Sequence, residues 1–279
     1  MRTGLRYTLV ILLWLAIAGV GLATVCSLLG RLHWTFDLFS HFRLQYGLAL
    51  LGLTVVALVM RRWLPALVAL LLLVPNLVAL SYYFPSRQIP GSASDFRLLS
   101  FNVLTSNRSH AEVRAYIADC DPDLIFLMET NTAWLRSLAS LRGTHPHVIE
   151  HPLSNNFGFV LFSRFPIHEH TIRFFRDGRV PALEARIEIA GRSVTFLGAH
   201  PLPPMGRRNS VARNAYLREL GALAAKSEGP LIVAGDLNTT PWSPTFRDLL
   251  ATAALTDSGR RRGFQSTWHR RSPLFSIPI

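Results

Sequence analysis

The chain has 279 residues, 49% of them hydrophobic, with a formal net charge of +12 and a mean hydropathy of +0.26. A soluble domain this basic does not usually score as apolar overall, so charge and apolarity belong to different stretches. Two cysteines, Cys26 and Cys120, exclude a disulfide-stapled scaffold, and an excess that is nearly all arginine (Lys226 is the only lysine) says little by itself about phosphate binding.

Residues 1–94 carry the long apolar runs, seven arginines and a single acid, Asp37. Tyr7–Leu29, Leu44–Met60 and Trp63–Phe84 contain no charged residue, and roughly 20 apolar residues suffice to cross the hydrocarbon layer as a helix. The first run is too long for the core of a signal peptide and two more follow it. The expectation is a transmembrane module over 1–84, with helices at about 7–29, 44–60 and 63–84. Arg2, Arg6 and the Arg61-Arg62 turn mark the cytoplasmic side, so three crossings deliver residue 85 onward to the opposite face. Pro85–Ser94 (PSRQIPGSAS) reads as a linker, and 95–279 as one globular domain.

In that domain FRLLSFNV (96–103) predicts a strand, 111–120 a helix, and DPDLIFLMET (121–130) a turn followed by a strand. Further strands are predicted at 157–162, 183–189, 193–199 and 231–234. A long amphipathic helix is predicted over 207–226 and a short one over 243–250, after a Ser-Pro start signal. Strands mixed with a few helices over this length suit an α/β sandwich of two sheets.

Polar residues gather where apolar strands stop. Asn102 follows LLSF, Glu129 follows LIFLM, His200 follows TFLGA, and Asp236 and Asn238 follow LIVAG. Each alone is weak, since Asn and Asp form turns and an isolated His is more often structural. Together they aim carboxylates, amides and an imidazole at one rim of a sheet, which is the layout of a site. On an extended chain, Asp236 and Asn238 at i, i+2 would share a side.

In chain order SFNV, DPDLIFLMET, FGFVLFSRFPI, GAHPLPP and LIVAGDLNTTPWSPTF resemble the endonuclease/exonuclease/phosphatase superfamily, the DNase I-like metal-dependent phosphoesterases, over essentially all of 95–279. With three helices in front, the chain resembles membrane-anchored, YafD-like bacterial members. The resemblance implies a four-layer α-β-β-α sandwich and a phosphodiesterase, nuclease or phosphatase activity. The implied location is a bacterial inner membrane, multi-pass, and the arginine pattern leads to the expectation that the globular domain is extracytoplasmic.

It also implies Mg²⁺ or Mn²⁺, hard cations that prefer oxygen ligands and neutralise charge building on phosphate. Glu129 then matches the metal carboxylate and Asn102 the amide beside it. Asp236 and Asn238 match the pair that orients water and holds a phosphate oxygen, and His200 a donor to the phosphate or leaving oxygen. Implied partners are the membrane and a phosphoester substrate, either nucleic acid or a phospholipid head group. Asn156, Arg164, Arg179 and Asp257 are secondary candidates, for each of which a solvated-loop or structural role is the plainer reading.

In the family a Thr-Trp pair precedes an apolar run and then an Asp-His dyad whose imidazole is the general base. Thr267-Trp268 is present, and the sequence stops at Ile279 after SIPI. The expectation is that the dyad lies beyond this sequence and that activity without it is impaired. His200 has no obvious carboxylate nearby in sequence to orient it as a substitute. The alternative is a non-catalytic module that binds a phosphate-bearing ligand or a protein at the membrane.

Overall fold

The structure, a computed structural model, describes residues 2–84, 96–175, 178, 180–268 and 276–279. The expected linker Pro85–Ser94, Arg179, and Leu274 and Phe275 of the final apolar run lie outside the described residues. The chain divides into two compact units. One comprises Met1–Gln88, Thr239–Leu250 and Leu255–Ile279, the other Ile89–Asn238 with Ala251–Ala254.

The first unit is built on four helices: α1 (Arg2–Leu28), α2 (Trp34–Ser40), α3 (Arg43–Val59) and α4 (Trp63–Leu80). Leu13, Ile17, Leu50, Ala57, Ala66, Ala69 and Leu73 form their shared core, while Leu12, Leu15, Leu22, Val59, Leu71 and Val78 point outward. Helices apolar on every face have nowhere wet to turn, which is the pattern of a membrane span. Two helices, Gly4–Leu28 and Trp63–Tyr83, are long and apolar enough to cross a membrane. The second expected span, 44–60, coincides with α3, which qualifies only when joined to α2 across a 65° bend.

One polar side chain inside this bundle bonds within its own helix and across to α1. Asn76, next to Pro75 within α4, donates to Leu72 O and to Thr24 Oγ1, each at 3.1 Å. Proline removes one bond of the helical ladder, and the helix around it is retained by packing against its neighbours. The later segments of the unit add α8 (Pro244–Thr252) and an aromatic cluster in which Tyr83 meets Trp242 and Phe264 edge-on. At the C-terminal end Trp268 and Ile277 form an antiparallel bridge, and Thr267 Oγ1 donates to Ile279 O at 2.8 Å.

The second unit holds two four-stranded sheets. The first has the order β1 (Leu98–Asn102), β2 (Leu124–Met128), β4 (Phe159–Ser163), β3 (His147–His151). The second runs β5 (Ile167–Phe174), β6 (Pro181–Ile189), β7 (Arg192–Ala199), β8 (Leu231–Ala234). Strand β2 is buried on both faces. Leu124, Phe126 and Met128 join Leu161, Leu183, Ile187 and Phe196 in the core between the sheets. Ile125 and Leu127 face the opposite way, toward Val113 and Ile117 of α5 (His110–Cys120) and Trp134 of α6 (Thr132–Ser137). A period of two in side-chain direction makes one apolar run serve both layers.

Two parallel pairs position the site. Strands β1 and β2 pair in parallel with Asn102 opposite Met128, and β7 and β8 with Gly198 opposite Ala234. Parallel neighbours need a crossover. Helix α5 supplies one, ending on Asp121 in the left-handed conformation with Pro122 behind it. Helix α7 (Gly206–Ala224) supplies the other, with Leu217 and Leu220 fully buried and the Tyr216 hydroxyl donating to Pro181 O of β6. Each pair therefore brings two carboxyl-terminal strand ends to one edge.

Candidate phosphoester site

Asn102, the last residue of β1, extends its amide nitrogen to two carboxylates at once. Nδ2 donates to Glu129 Oε1 at 2.8 Å and to Asp236 Oδ2 at 3.2 Å. Its own oxygen accepts from the backbone N–H of Leu104 at 3.1 Å. Glu129 immediately follows β2 and Asp236 lies two residues past β8, so the amide joins acids delivered by different sheets of the same unit.

Glu129 is buried and sits at φ +61°, with Leu104 at +62° and Asn238 at +51° in the same region. Left-handed backbone at a residue other than glycine costs on the order of 1–3 kcal/mol and persists only when surrounding contacts hold it. Those contacts are present for Glu129. The Thr105 hydroxyl donates to Glu129 O at 2.9 Å and the Thr105 N–H to Glu129 Oε2 at 3.3 Å.

His200 follows β7, is buried against the Phe157 ring, and places Nε2 at 3.9 Å from both Glu129 Oε1 and Asp236 Oδ2. The sequence offered it no carboxylate, because its neighbours along the chain are apolar. Folding brings two from distant segments. The opposite ring nitrogen, Nδ1, is buried and makes no hydrogen bond to the described residues.

Asp236 and Asn238 do not lie on extended chain, as their spacing alone suggested. The strand stops at Ala234, and the Asn238 N–H donates to Asp236 Oδ1 at 3.0 Å, closing an Asx turn. Asn238 Nδ2 donates to Pro201 O at 2.9 Å, beside His200, and the Asp236 N–H meets Met128 Sδ at 3.0 Å. Gly235 makes the turn possible. Its φ is +142°, and a Cβ there would lie 1.8 Å from Ala199 O.

Two contributors escape the sequence reading. Thr105 belongs to a polar loop with no pattern to single it out. Arg213 is 1% exposed on α7, where Nη1 donates to Asn238 O at 2.9 Å and Nε and Nη2 both reach Asn214 Oδ1. Its spacing did carry a signal: Arg213 falls on the stripe of Tyr216, Leu217 and Leu220, where a charge at a core position needs acceptors.

Three of the four secondary candidates are among the described residues. Arg164 pairs with Asp121 and Asp123, and Asp257 accepts from the Tyr82 hydroxyl. Asn156 is exposed.

The sequence profile of the Endonuclease/Exonuclease/phosphatase family matches residues 99–279. The chain belongs to this family. Among solved structures, family-like folds include sphingomyelinase C from Streptomyces griseocarneus, at 17% identity and a TM-score of 0.50, covering 58% of this chain and 71% of that one. A humanised D. rerio TDP2 with 14 mutations matches at 19% identity and 0.48, covering 59% and 69%. TDP2 from C. elegans matches at 18% and 0.44, covering 51% and 48%. At these identities the likeness concerns the fold alone. A search of the curated proteins found no match.

The donor set fits a hard divalent cation. Two carboxylate oxygens converge on one amide N–H₂ group, whose protons now stabilise the paired negative charge. Among the described residues no group of three or more His, Cys, Asp or Glu side chains is placed to hold a metal ion. Magnesium does not require one, since it is commonly bound through one or two carboxylates, water and substrate phosphate.

Proposed function

We propose that this protein is a membrane-anchored phosphoester hydrolase that depends on Mg²⁺ or Mn²⁺. The observation that carries the reading is the convergence of Glu129 and Asp236 on the single amide of Asn102, with His200 Nε2 within 3.9 Å of both. Family membership supports phosphoester chemistry, and the helices Gly4–Leu28 and Trp63–Tyr83 support the anchor. The site-bearing unit is read as the four-layer sandwich of the family, on the extracytoplasmic face of a bacterial inner membrane, in the manner of YafD-like proteins. We take the membrane module as 1–84, the linker as 85–94 and the family domain as 95–279, although Thr239–Leu250 and Leu255–Ile279 fall in the compact unit of the helices.

In this reading Glu129 and Asp236 hold the ion, which supplies neutralising charge to a phosphate oxygen when bound. Asn102 sits beside it and keeps the two carboxylates together. His200 presents Nε2 to the same space, as a donor to a phosphate or leaving oxygen. Asp236 and Asn238 orient water and phosphate from a turn already closed. Preorganised donors aimed at developing charge are most of what a protein contributes to phosphoryl chemistry. The substrate is a phosphodiester, of nucleic acid or of a phospholipid head group.

The test is hydrolysis of a generic phosphodiester by the full chain in detergent or nanodiscs, with and without Mn²⁺. Ion-dependent turnover lost in Glu129→Ala and in Asp236→Ala is the expected result. Equal turnover in both variants and wild type rejects the reading. Ligand binding without turnover in wild type would favour the non-catalytic alternative.

A further inference from the structure

Asp37 is the only acid in the first 94 residues, and the site does not use it. It lies in α2 and is 2% exposed. A carboxylate this buried is costly unless hydrogen-bonded. Asp37 Oδ1 accepts from the Ser243 hydroxyl at 2.7 Å, 206 positions away in sequence, and from the Ser40 hydroxyl at 3.2 Å. One residue past α2, His41 Nδ1 lies 3.0 Å from Thr240 Oγ1.

Ser40, Thr240 and Ser243 are fully buried and His41 nearly so. More contacts of the same segment follow. The Trp242 indole N–H donates to Ala79 O at 3.0 Å, Arg31 and Asp248 pair through two hydrogen bonds, and Pro244 packs on Gly30. The stretch Thr239–Leu250 thus belongs to the compact unit of the helices, and it begins one residue after Asn238.

We propose that the end of α2 is a positioning cleft for the chain's own segment Thr240–Ser243. Asp37 and His41 grip that segment through Ser243 and Thr240, and so restrain the backbone that continues from the Asp236–Asn238 turn. This rests on the reading of Asp236 and Asn238 given above. Asp37 and His41 are positioning residues, since neither touches the groups that would meet a phosphate.

The experiment uses the full chain in nanodiscs and three variants, Asp37→Ala, Asp37→Asn and Ser243→Ala. It reads hydrogen exchange over residues 235–243, with β6 and β7 as internal reference, and Mn²⁺ affinity by titration. Ser243→Ala leaves the helices intact and Asp37→Asn keeps an oxygen for Ser243. Expected are exchange about tenfold faster over 235–243 and Mn²⁺ binding weakened threefold to tenfold in Ser243→Ala and Asp37→Ala, the scale of one buried hydrogen bond. Recovery of most of the loss in Asp37→Asn is also expected, with β6 and β7 unchanged throughout. Unchanged exchange over 235–243 in Ser243→Ala and Asp37→Ala overturns the proposal whatever the ion does. A wild-type protein that binds no Mn²⁺ overturns the metal reading of the site instead, and the exchange measurement still decides the role of Asp37.

Discussion

Arg213 Nη1 donates to the carbonyl oxygen of Asn238 across 2.9 Å, from a guanidinium that is 1% exposed. A buried cation commits the surrounding backbone, because each of its N–H groups needs an acceptor that water no longer supplies. Here one such acceptor is the turn that carries Asp236 and Asn238.

Arg213→Met is expected to destabilise the protein by about 1–3 kcal/mol, the cost of leaving a buried partner unsatisfied. Denaturant unfolding of the full chain measures it. Arg213→Lys keeps the charge and a single donor, so it should fall between wild type and Arg213→Met. If Lys and Met behave alike, the directed bond to Asn238 O is not what matters.

Glu129→Gln and Asp236→Asn each remove one of two negative charges that share the Asn102 amide. Mn²⁺ affinity should fall about tenfold or more in each, since hard cations depend on carboxylate charge. Stability without ion should change little, because relief of repulsion between the acids is offset by an amide N–H₂ that must face an N–H donor where a carboxylate oxygen accepted. Thermal unfolding with and without Mn²⁺ checks both parts: wild type should gain about 2.7 kcal/mol at an ion concentration of 100 Kd, and each variant much less at that concentration.

Gly235→Ala should prevent the native turn from forming. The backbone there is at φ +142°, and the added methyl would meet Ala199 O at 1.8 Å, a contact no side-chain rotation relieves. Loss of several kcal/mol is expected, of the kind seen when strain and steric overlap coincide. Full-chain Gly235→Ala that unfolds at the wild-type temperature would show the turn to be built differently.

Asp121 offers a pH test remote from the site. A hydrogen bond from Arg164, then the Arg164 charge, and to a lesser degree Arg97, hold its carboxyl below the usual aspartate range. A depressed folded-state value stabilises the fold above the ordinary aspartate pKa, and that contribution is lost as pH falls through the lower folded value. Wild type should therefore melt slightly above Asp121→Asn near neutrality, with the gap closing in acid. The pair is exposed, so the gap should be small and shrink with salt. A gap that widens in acid contradicts the assignment.

The strands that carry the site were legible because each is a short apolar run ending in a polar residue. Strands β2, β4, β6, β7 and β8 and helices α5 and α7 lie close to where periodicity puts them. The strands missed were β3 (HVIEH) and β5 (IHEHTIRF), both at sheet edges. Strand β5 is turned largely to solvent and needs no apolar alternation, and β3 is only five residues with two histidines and a glutamate, so both resemble loops. Helix α6 has six residues, too few for a period to register; its start is set by Asn131, whose side chain accepts from the N–H groups of Ala133 and Trp134.

By itself, the sequence determined that Asn102, Glu129, His200, Asp236 and Asn238 stand at strand ends and that the first 84 residues are apolar enough for membrane helices. Both properties are local, written in the order of apolar and polar residues along a few turns of chain. Which groups meet was decided only by tertiary structure. The Asn102 amide between two acids, the two carboxylates near His200 and the Arg213 grip on Asn238 are pairings between distant segments. So is the hold of Asp37 on Ser243. Such pairings depend on sheet order, crossover and burial, which set how strongly a polar group must find a partner, and no short stretch of sequence encodes them.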